Sequence, residues 1–120
     1  MNGFNRVILK GTAGQDATMK TLEGGNSVAT VSIAINESYK DKNTGERKSK
    51  TEWVRIEAWR GLAEWLGKYG KKGTDFLIEG RLKTDSWEQD GQTKYSTKVV
   101  AEQIMFTQPM KENPNSAGQV

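Results

Sequence analysis

Apolar and polar side chains alternate along most of the chain, which is typical of strands that bury one face and expose the other. The alternation is clearest at residues 28–38, where Val31, Ile33 and Ile35 share one face. The pattern predicts five main strands, at residues 4–12, 28–38, 51–60, 76–83 and 95–106, and a shorter strand at residues 17–22.

The pattern changes to a helical period at residues 61–70. Apolar side chains there recur at i, i+3, i+4 and i+7, namely Leu62, Trp65, Leu66 and Tyr69. We expect a short amphipathic helix that ends at Gly70 or Gly73, and we assign Trp65 to the core and not to a binding surface.

Three segments interrupt these patterns. Residues 39–50 predict a basic, turn-rich loop, and residues 85–94 predict a hairpin around the Asp90–Gly91 pair. Residues 107–120 are polar, contain proline and have no periodicity, so we expect a disordered tail. The chain is therefore expected to consist of one folded domain at 1–106 and a flexible tail at 107–120.

Five antiparallel strands with a helix after the third predict an all-β fold. The order matches the partly open five-stranded Greek-key barrel called the OB-fold, with one short helix between strands 3 and 4. A β-sandwich is the alternative, but it would be expected to have more strands and no helix at that position.

The strand at residues 51–60 carries large aromatic residues on the face that does not point toward the core. Val54, Ile56 and Ala58 form the expected core face. The other face carries Trp53, Arg55, Glu57 and Trp59, and a dry interior would accept its charges only if both were paired. We therefore expect that face to be in water, with its two tryptophans about 20 Å apart along the strand.

Aromatic and basic residues also occur together in the predicted loops, where Tyr39 begins the basic loop and Trp87 lies in the hairpin. Rings that stack on bases and cations that follow phosphates are what single-stranded nucleic acid requires. The candidate phosphate-binding residues are Arg6, Lys10, Lys40, Lys42, Arg47, Lys48, Lys50, Arg55, Lys72 and Lys83. These residues predict sequence-independent binding of single-stranded nucleic acid.

The composition argues against most enzyme chemistry. The chain has no cysteine and no histidine, which removes the usual zinc ligands and the commonest general base. No acidic pair is suited to metal-assisted cleavage, so we expect neither an enzyme nor a metal or cofactor. A net charge of +3 permits a polyanionic partner. There is no apolar segment long enough for a signal or a membrane span, so we expect a cytoplasmic, nucleoid-associated protein.

Four segments together resemble the bacterial and phage single-stranded DNA-binding proteins: "NRVILKGTAGQD", "SIAINESYKDKNTGERKSKTEWVRIEAW", "YGKKGTDFLIEGRLKTDSW" and "YSTKVVAEQIMF". The resemblance spans roughly residues 4–106. It implies an OB-fold, a homotetramer, and stacking of DNA bases on Tyr39, Trp53, Trp59 and Trp87. Asp85 and Ser86 occupy positions that are often basic in the family, so this hairpin is expected to attract phosphate less strongly.

Relatives in this family commonly end in an acidic cluster with a hydrophobic tip that docks partner enzymes. The sequence "NPNSAGQV" at residues 113–120 has neither, so partners that depend on such a tip are not expected for this chain. The alternatives within reach of the sequence are a dimeric primosomal or plasmid-type OB protein, an oligosaccharide-binding OB module and, with least support, a metal-dependent nuclease.

Overall fold

The structure, a computed structural model, describes residues 3–107. These residues form six strands and one helix, in the order β1 (Val7–Ala13), β2 (Thr18–Thr21), β3 (Ser27–Lys40), β4 (Arg47–Trp59), α1 (Arg60–Tyr69), β5 (Asp75–Gln89) and β6 (Gln92–Phe106). The predicted tail, apart from Thr107, lies outside the described residues.

The strands form one sheet that closes into a barrel. Their order is β1-β5-β6-β4-β3-β2, and β1 also pairs with β3. This last pairing closes a ring of five strands, while the short β2 continues the path of β1 along the edge of β3. The helix lies between the third and fourth of the five main strands, so the predicted OB-fold is confirmed.

The barrel interior is filled by the apolar faces that the alternation predicts. Ile33, Ile56, Phe76 and Ile78 are almost completely shielded from solvent. Val54 is partly buried and packs against the same cluster. Burial of these side chains is the main source of stability for a domain of this size.

Helix α1 packs against the core with the face that its period predicts. Leu66 and Ala63 are fully buried. Trp65 is half-buried and its ring contacts those of Tyr69, Phe76 and Phe106 at centroid distances of 5.2–6.1 Å. Trp65 is therefore a packing residue, as the sequence predicts. The helix ends at Tyr69, and Gly70 is its C-cap residue.

Strand extends well into both predicted loops, which corrects the sequence prediction. Half of the predicted basic loop extends β3 and β4 into a hairpin that we call the β3–β4 arm, and its turn covers residues 41–46. In the same way β5 and β6 continue to Gln89 and Gln92 and form the β5–β6 arm. Its turn is the Asp90–Gly91 pair, whose φ angles of 54° and 76° are those of the predicted tight hairpin turn.

Candidate nucleic-acid interface

The outer face of β4 presents an exposed indole beside a cation. Trp53 is 60% exposed, and Arg55 follows two residues later on the same face. Both line a cleft of about 390 Å³ whose lining also includes Gly14 and Gln15. The ring of Trp53 rests on Gly14, where a Cβ atom would lie only 2.5 Å from Cζ3 of the indole. Glycine at this position therefore allows the indole to approach the backbone closely while remaining open to solvent.

A second cleft, of about 460 Å³, lies at the end of β4. Its lining includes Trp59 and three basic residues, Arg60, Arg81 and Lys83. Arg60 has a φ of 58°, the left-handed conformation that L-residues adopt at a cost. The chain reverses there from β4 into α1, and the strained residue is one of the cations of the cleft.

Glu57 does not lie in water, which corrects the prediction for this face. It is only 6% exposed and is the one charged residue that is buried within residues 3–107. The indole Nε1–H of Trp59 donates a hydrogen bond of 2.8 Å to Oε1 of Glu57. The ammonium of Lys98 donates one of 2.6 Å to Oε2. The carboxylate is tolerated because both of its oxygens are paired.

Lys98 also forms an ion pair of 2.6 Å with Asp85 on β5. Burial opposes the charged form of Lys98, but its hydrogen bonds to Asp85 and Glu57 outweigh burial and raise the pKa of Lys98. The hydrogen bond from Lys98 lowers the pKa of Asp85. Lys98 therefore stays protonated and is held by two carboxylates, so it is not available to a phosphate.

Trp87 lies on strand β5 and not in a loop. It is directly opposite Lys94 of β6 in the strand register. Alternation places Trp87 on the same face as Asp85, and the Lys98 bridge shows that this face is continuous with the face of Glu57 and Trp59. Trp53, Trp59 and Trp87 therefore share one outer surface of the barrel, with exposed fractions of 60%, 37% and 46%.

Tyr39 is exposed but lies on the other face of the β3–β4 arm. It is directly opposite Lys48 in the register, whereas Trp53 is opposite Ala34. Side chains alternate between faces, so odd-numbered residues of β3 point away from the face that carries Trp53. The structure thus brings Tyr39 together with Lys48 and not with the three tryptophans.

The basic residues of the β3–β4 arm divide between its two faces. Lys40 and Arg47 are opposite each other on the Trp53 face, and Lys42 lies in the turn. Lys48 and Lys50 lie on the Tyr39 face. Lys48 is bound to Asp41 at 3.0 Å, and this hydrogen bond lowers the pKa of Asp41. Lys48 is therefore already paired before any phosphate arrives.

The remaining predicted cations are spread around the barrel. Arg6 precedes β1 and is bound to Glu79 at 2.7 Å, and Lys10 is exposed on β1, which β3 separates from β4. Lys72 follows α1, and its backbone N–H donates to Asp16, next to Gln15 of the first cleft. Lys83 lines the second cleft beside Trp59.

Sequence reasoning missed several residues of this surface. Arg60 and Arg81 line the second cleft, Lys94 is opposite Trp87, and Gly14 supports Trp53. Arg81 and Lys94 could have been found from strand alternation, because they share the parity of Lys83 and Lys98 on β5 and β6. The contact of Gly14 with Trp53 depends on barrel closure and leaves no local signal.

Within residues 3–107 the structure has no group of three or more acidic side chains placed to hold a metal ion. The described part of the chain also contains no helix long and apolar enough to span a membrane.

Comparison with known proteins finds single-stranded DNA-binding proteins of similar fold. The chain is similar to the structure of the Plasmodium falciparum SSB in complex with ssDNA, with 37% identity over 83% of this chain and 88% of that one and a TM-score of 0.75. It is also similar to a deletion mutant of the single-stranded DNA binding protein from Thermus aquaticus, with 29% identity over 90% of this chain and 52% of that one and a TM-score of 0.77.

A model of the single-strand binding protein family matches residues 4–107, nearly all of the described chain. This family consists of binding proteins and not of enzymes, which agrees with the function expected from the sequence. The chain belongs to the single-strand binding protein family.

Proposed function

We propose that this chain binds single-stranded DNA without reading its sequence, and so protects strands exposed in replication, recombination and repair. The observation that carries the proposal is the outer surface on which Trp53, Trp59 and Trp87 are exposed among cations. A stacked base gains about 1–3 kcal/mol on an aromatic ring whatever its identity. Such a surface therefore suits a strand of any sequence.

The cations of this surface supply the second half of the mechanism. Arg55 lies beside Trp53, Lys83 beside Trp59 and Lys94 opposite Trp87, so each ring has a positive charge nearby. As a base stacks on a ring, the neighbouring cation can pair with its phosphate, and the condensed counterions are released into solution. Two clefts of about 390 and 460 Å³ flank the rings of Trp53 and Trp59 and give the backbone room to follow.

Tyr39 enters the proposal as a fourth stacking residue, on the other face of the β3–β4 arm. Its neighbours there are Lys48, which is paired with Asp41, and Lys50, whose charge repeats the combination of ring and cation. The proposal therefore assigns DNA contacts to both faces of this arm.

The protein is further proposed to assemble as a homotetramer, with a dimer as the alternative. In support, residues Val7 to Gly11 of β1 pair with β5 on one side only, and Ile8 on this segment is 60% exposed. An exposed strand edge with apolar side chains is a common place for a second subunit to pair. Because single-stranded DNA arises where a genome is copied and repaired, the protein is proposed to act in the cytoplasm, at the nucleoid.

Titration of tryptophan fluorescence with oligo(dT), mixed-sequence single strands and duplex DNA tests the function. We expect strong quenching by both single strands, with similar affinity, and far weaker binding of the duplex. Preference for the duplex, or no quenching at all, would contradict the proposal. Recovery of intact DNA after incubation with Mg²⁺ excludes a nuclease, and sedimentation velocity of the DNA-free protein distinguishes a tetramer from a dimer.

A further inference from the structure

Four side chains from three strands meet beneath the proposed DNA surface. Glu57 and Trp59 come from β4, Lys98 from β6 and Asp85 from β5, and we call them the Glu57 network. Each oxygen of the Glu57 carboxylate has one strong donor, Trp59 at 2.8 Å and Lys98 at 2.6 Å. Because Lys98 also reaches Asp85 at 2.6 Å, the network joins all three strands.

The network lies where β4 and β6 run side by side. The backbone pairing of these two strands consists of the matches Ile56 with Val99 and Glu57 with Val100. Strand β5 continues from this region into the β5–β6 arm, and Trp87 lies two residues beyond Asp85 on the same face. The side chains of the network therefore add contacts between the strands at the point where the β5–β6 arm leaves the barrel.

The charges of the network argue against a role in binding phosphate. Two carboxylates bind one ammonium directly, so the four side chains of the network carry a net negative charge, and Lys83 is a further cation close to Asp85. The side chain of Lys98 is only 13% exposed, so it does not face the DNA. A buried carboxylate in such a place repels the phosphates of DNA. It favours binding only if its hydrogen bond to Trp59 gains more free energy than this repulsion costs.

We propose that Glu57 is a positioning residue for Trp59, an inference that rests on the proposed function. Its carboxylate anchors the edge of the indole through the Nε1–H, so that the ring is fixed in one orientation before DNA arrives. Lys98 holds the second oxygen of Glu57 and, through Asp85, ties the base of the Trp87 arm to the same anchor. Preorganisation of this kind raises affinity because less side-chain freedom is lost on binding.

The first test measures the ring itself, in the absence of DNA. In a Trp53→Phe, Trp87→Phe background, the remaining tryptophans are Trp59 and the core residue Trp65. We expect time-resolved fluorescence anisotropy to show no fast local motion of Trp59, and to show it clearly once Glu57→Val is added. An unchanged anisotropy decay in the Glu57→Val variant would overturn the proposal.

The second test is a double-mutant cycle on affinity for oligo(dT). Glu57→Val should weaken binding about five- to tenfold when residue 59 is Trp, as expected when one side chain must be ordered on binding instead of beforehand. The same change should have no such effect in a Trp59→Phe background, because phenylalanine keeps the ring and lacks the N–H. The electrostatic effect of removing the charge is common to both backgrounds and cancels in the cycle. Equal effects in the two backgrounds would overturn the proposal.

A rescue variant keeps the proposal testable if Glu57→Val fails to fold. In Glu57→Gln, Lys98→Met the amide oxygen can still accept from the indole, while the charged partner of the second oxygen is gone. We expect this double variant to keep the restricted anisotropy of Trp59 and an affinity within about threefold of the parent. Free motion of Trp59 in this folded variant would overturn the proposal.

The two proposals fail in different ways. If the parent protein does not bind oligo(dT), the proposed function is wrong, whatever the anisotropy shows. If the parent binds but the cycle shows no coupling between positions 57 and 59, only the positioning role is wrong.

Discussion

The indole ring of Trp53 lies directly against the backbone of Gly14, so that a Cβ atom at Gly14 would come within 2.5 Å of Cζ3 and 2.8 Å of Cη2. Real Cβ atoms do not approach an aromatic carbon so closely, and the two residues come from different parts of the barrel. The orientation of the ring therefore depends on the absence of a side chain at Gly14.

Gly14→Ala should displace the Trp53 ring and weaken DNA binding without abolishing it. Overpacking of this kind costs about 1–3 kcal/mol, divided here between a strained fold and a displaced ring. Oligo(dT) titration and urea unfolding measure the two parts. Gly61→Ala is the matched control, since its Cβ would have no neighbour within 4 Å, and it should leave affinity unchanged. Normal affinity in Gly14→Ala would show that the ring has another stable position.

The tryptophans should separate into binding and packing residues. Trp53→Ala should cost about 1–3 kcal/mol of DNA binding and little stability, because the ring is 60% exposed. Trp65→Ala should cost about 3 kcal/mol of stability, because its ring packs on Phe76 and Phe106. Trp59 is less exposed, so Trp59→Ala should lower both DNA affinity and stability. Denaturant unfolding and DNA titration of each variant measure the two effects. A Trp53→Ala variant that loses stability, or a Trp65→Ala variant that loses only DNA binding, would contradict the prediction.

Lys48 and Lys50 offer a matched pair for the electrostatic part of binding. They lie two residues apart on the same face of β4, but Lys48 is bound to Asp41 at 3.0 Å, and Lys50 forms no ion pair with another of the residues that the structure describes. Lys50→Ala should therefore lower the slope of log affinity against log salt by about 0.7, the value for one phosphate contact on a single strand. Lys48→Ala should lower this slope less. Equal slopes for Lys48→Ala and Lys50→Ala would mean that the Asp41 pair opens without cost.

The stability that Asp85 contributes should depend on pH in a definite direction. Its pKa is lowered in the folded protein by the hydrogen bond from Lys98, so the contribution is complete above the unfolded value near 3.8 and is lost as pH falls through the lowered value. Asp85→Asn should thus be less stable than the parent at pH 7, and the difference should shrink toward zero in acid. Unfolding at pH 7, 5 and 3, at one protein concentration, checks this, and a difference that does not vary with pH would contradict it.

The alternation of side chains predicted the barrel because its strands bury one face. Ile33 and Ile56, for example, point into the core, so apolar side chains recur at every second position of their strands. The full length of the arm strands was missed because no core lies beneath them, so both of their faces are exposed to solvent. Ser38 and Lys48, for example, lie on opposite faces of one arm and are both exposed. Backbone pairing alone defines such strands, and it leaves no periodic signal.

The sequence predicts the part of the candidate surface that lies on one strand, because alternation alone decides which face each side chain is on. Trp53 and Trp59 were assigned to the outer face of β4 from parity alone. The environment of Glu57 was not predictable, because its partner Lys98 is 41 residues away in sequence and is brought near only by the pairing of β4 with β6. Distant pairing of this kind determines which charges are available to DNA.

The placement of Tyr39 and Trp53 on opposite faces of one two-stranded ribbon limits the course of any polymer that touches both. A strand of DNA cannot pass from one ring to the other along a single surface and must turn around an edge of the ribbon. An oligonucleotide too short to make that turn can engage only one of the two rings, whereas a longer one encloses the arm. Chain length, rather than base sequence, would then determine how many of the aromatic residues are in use.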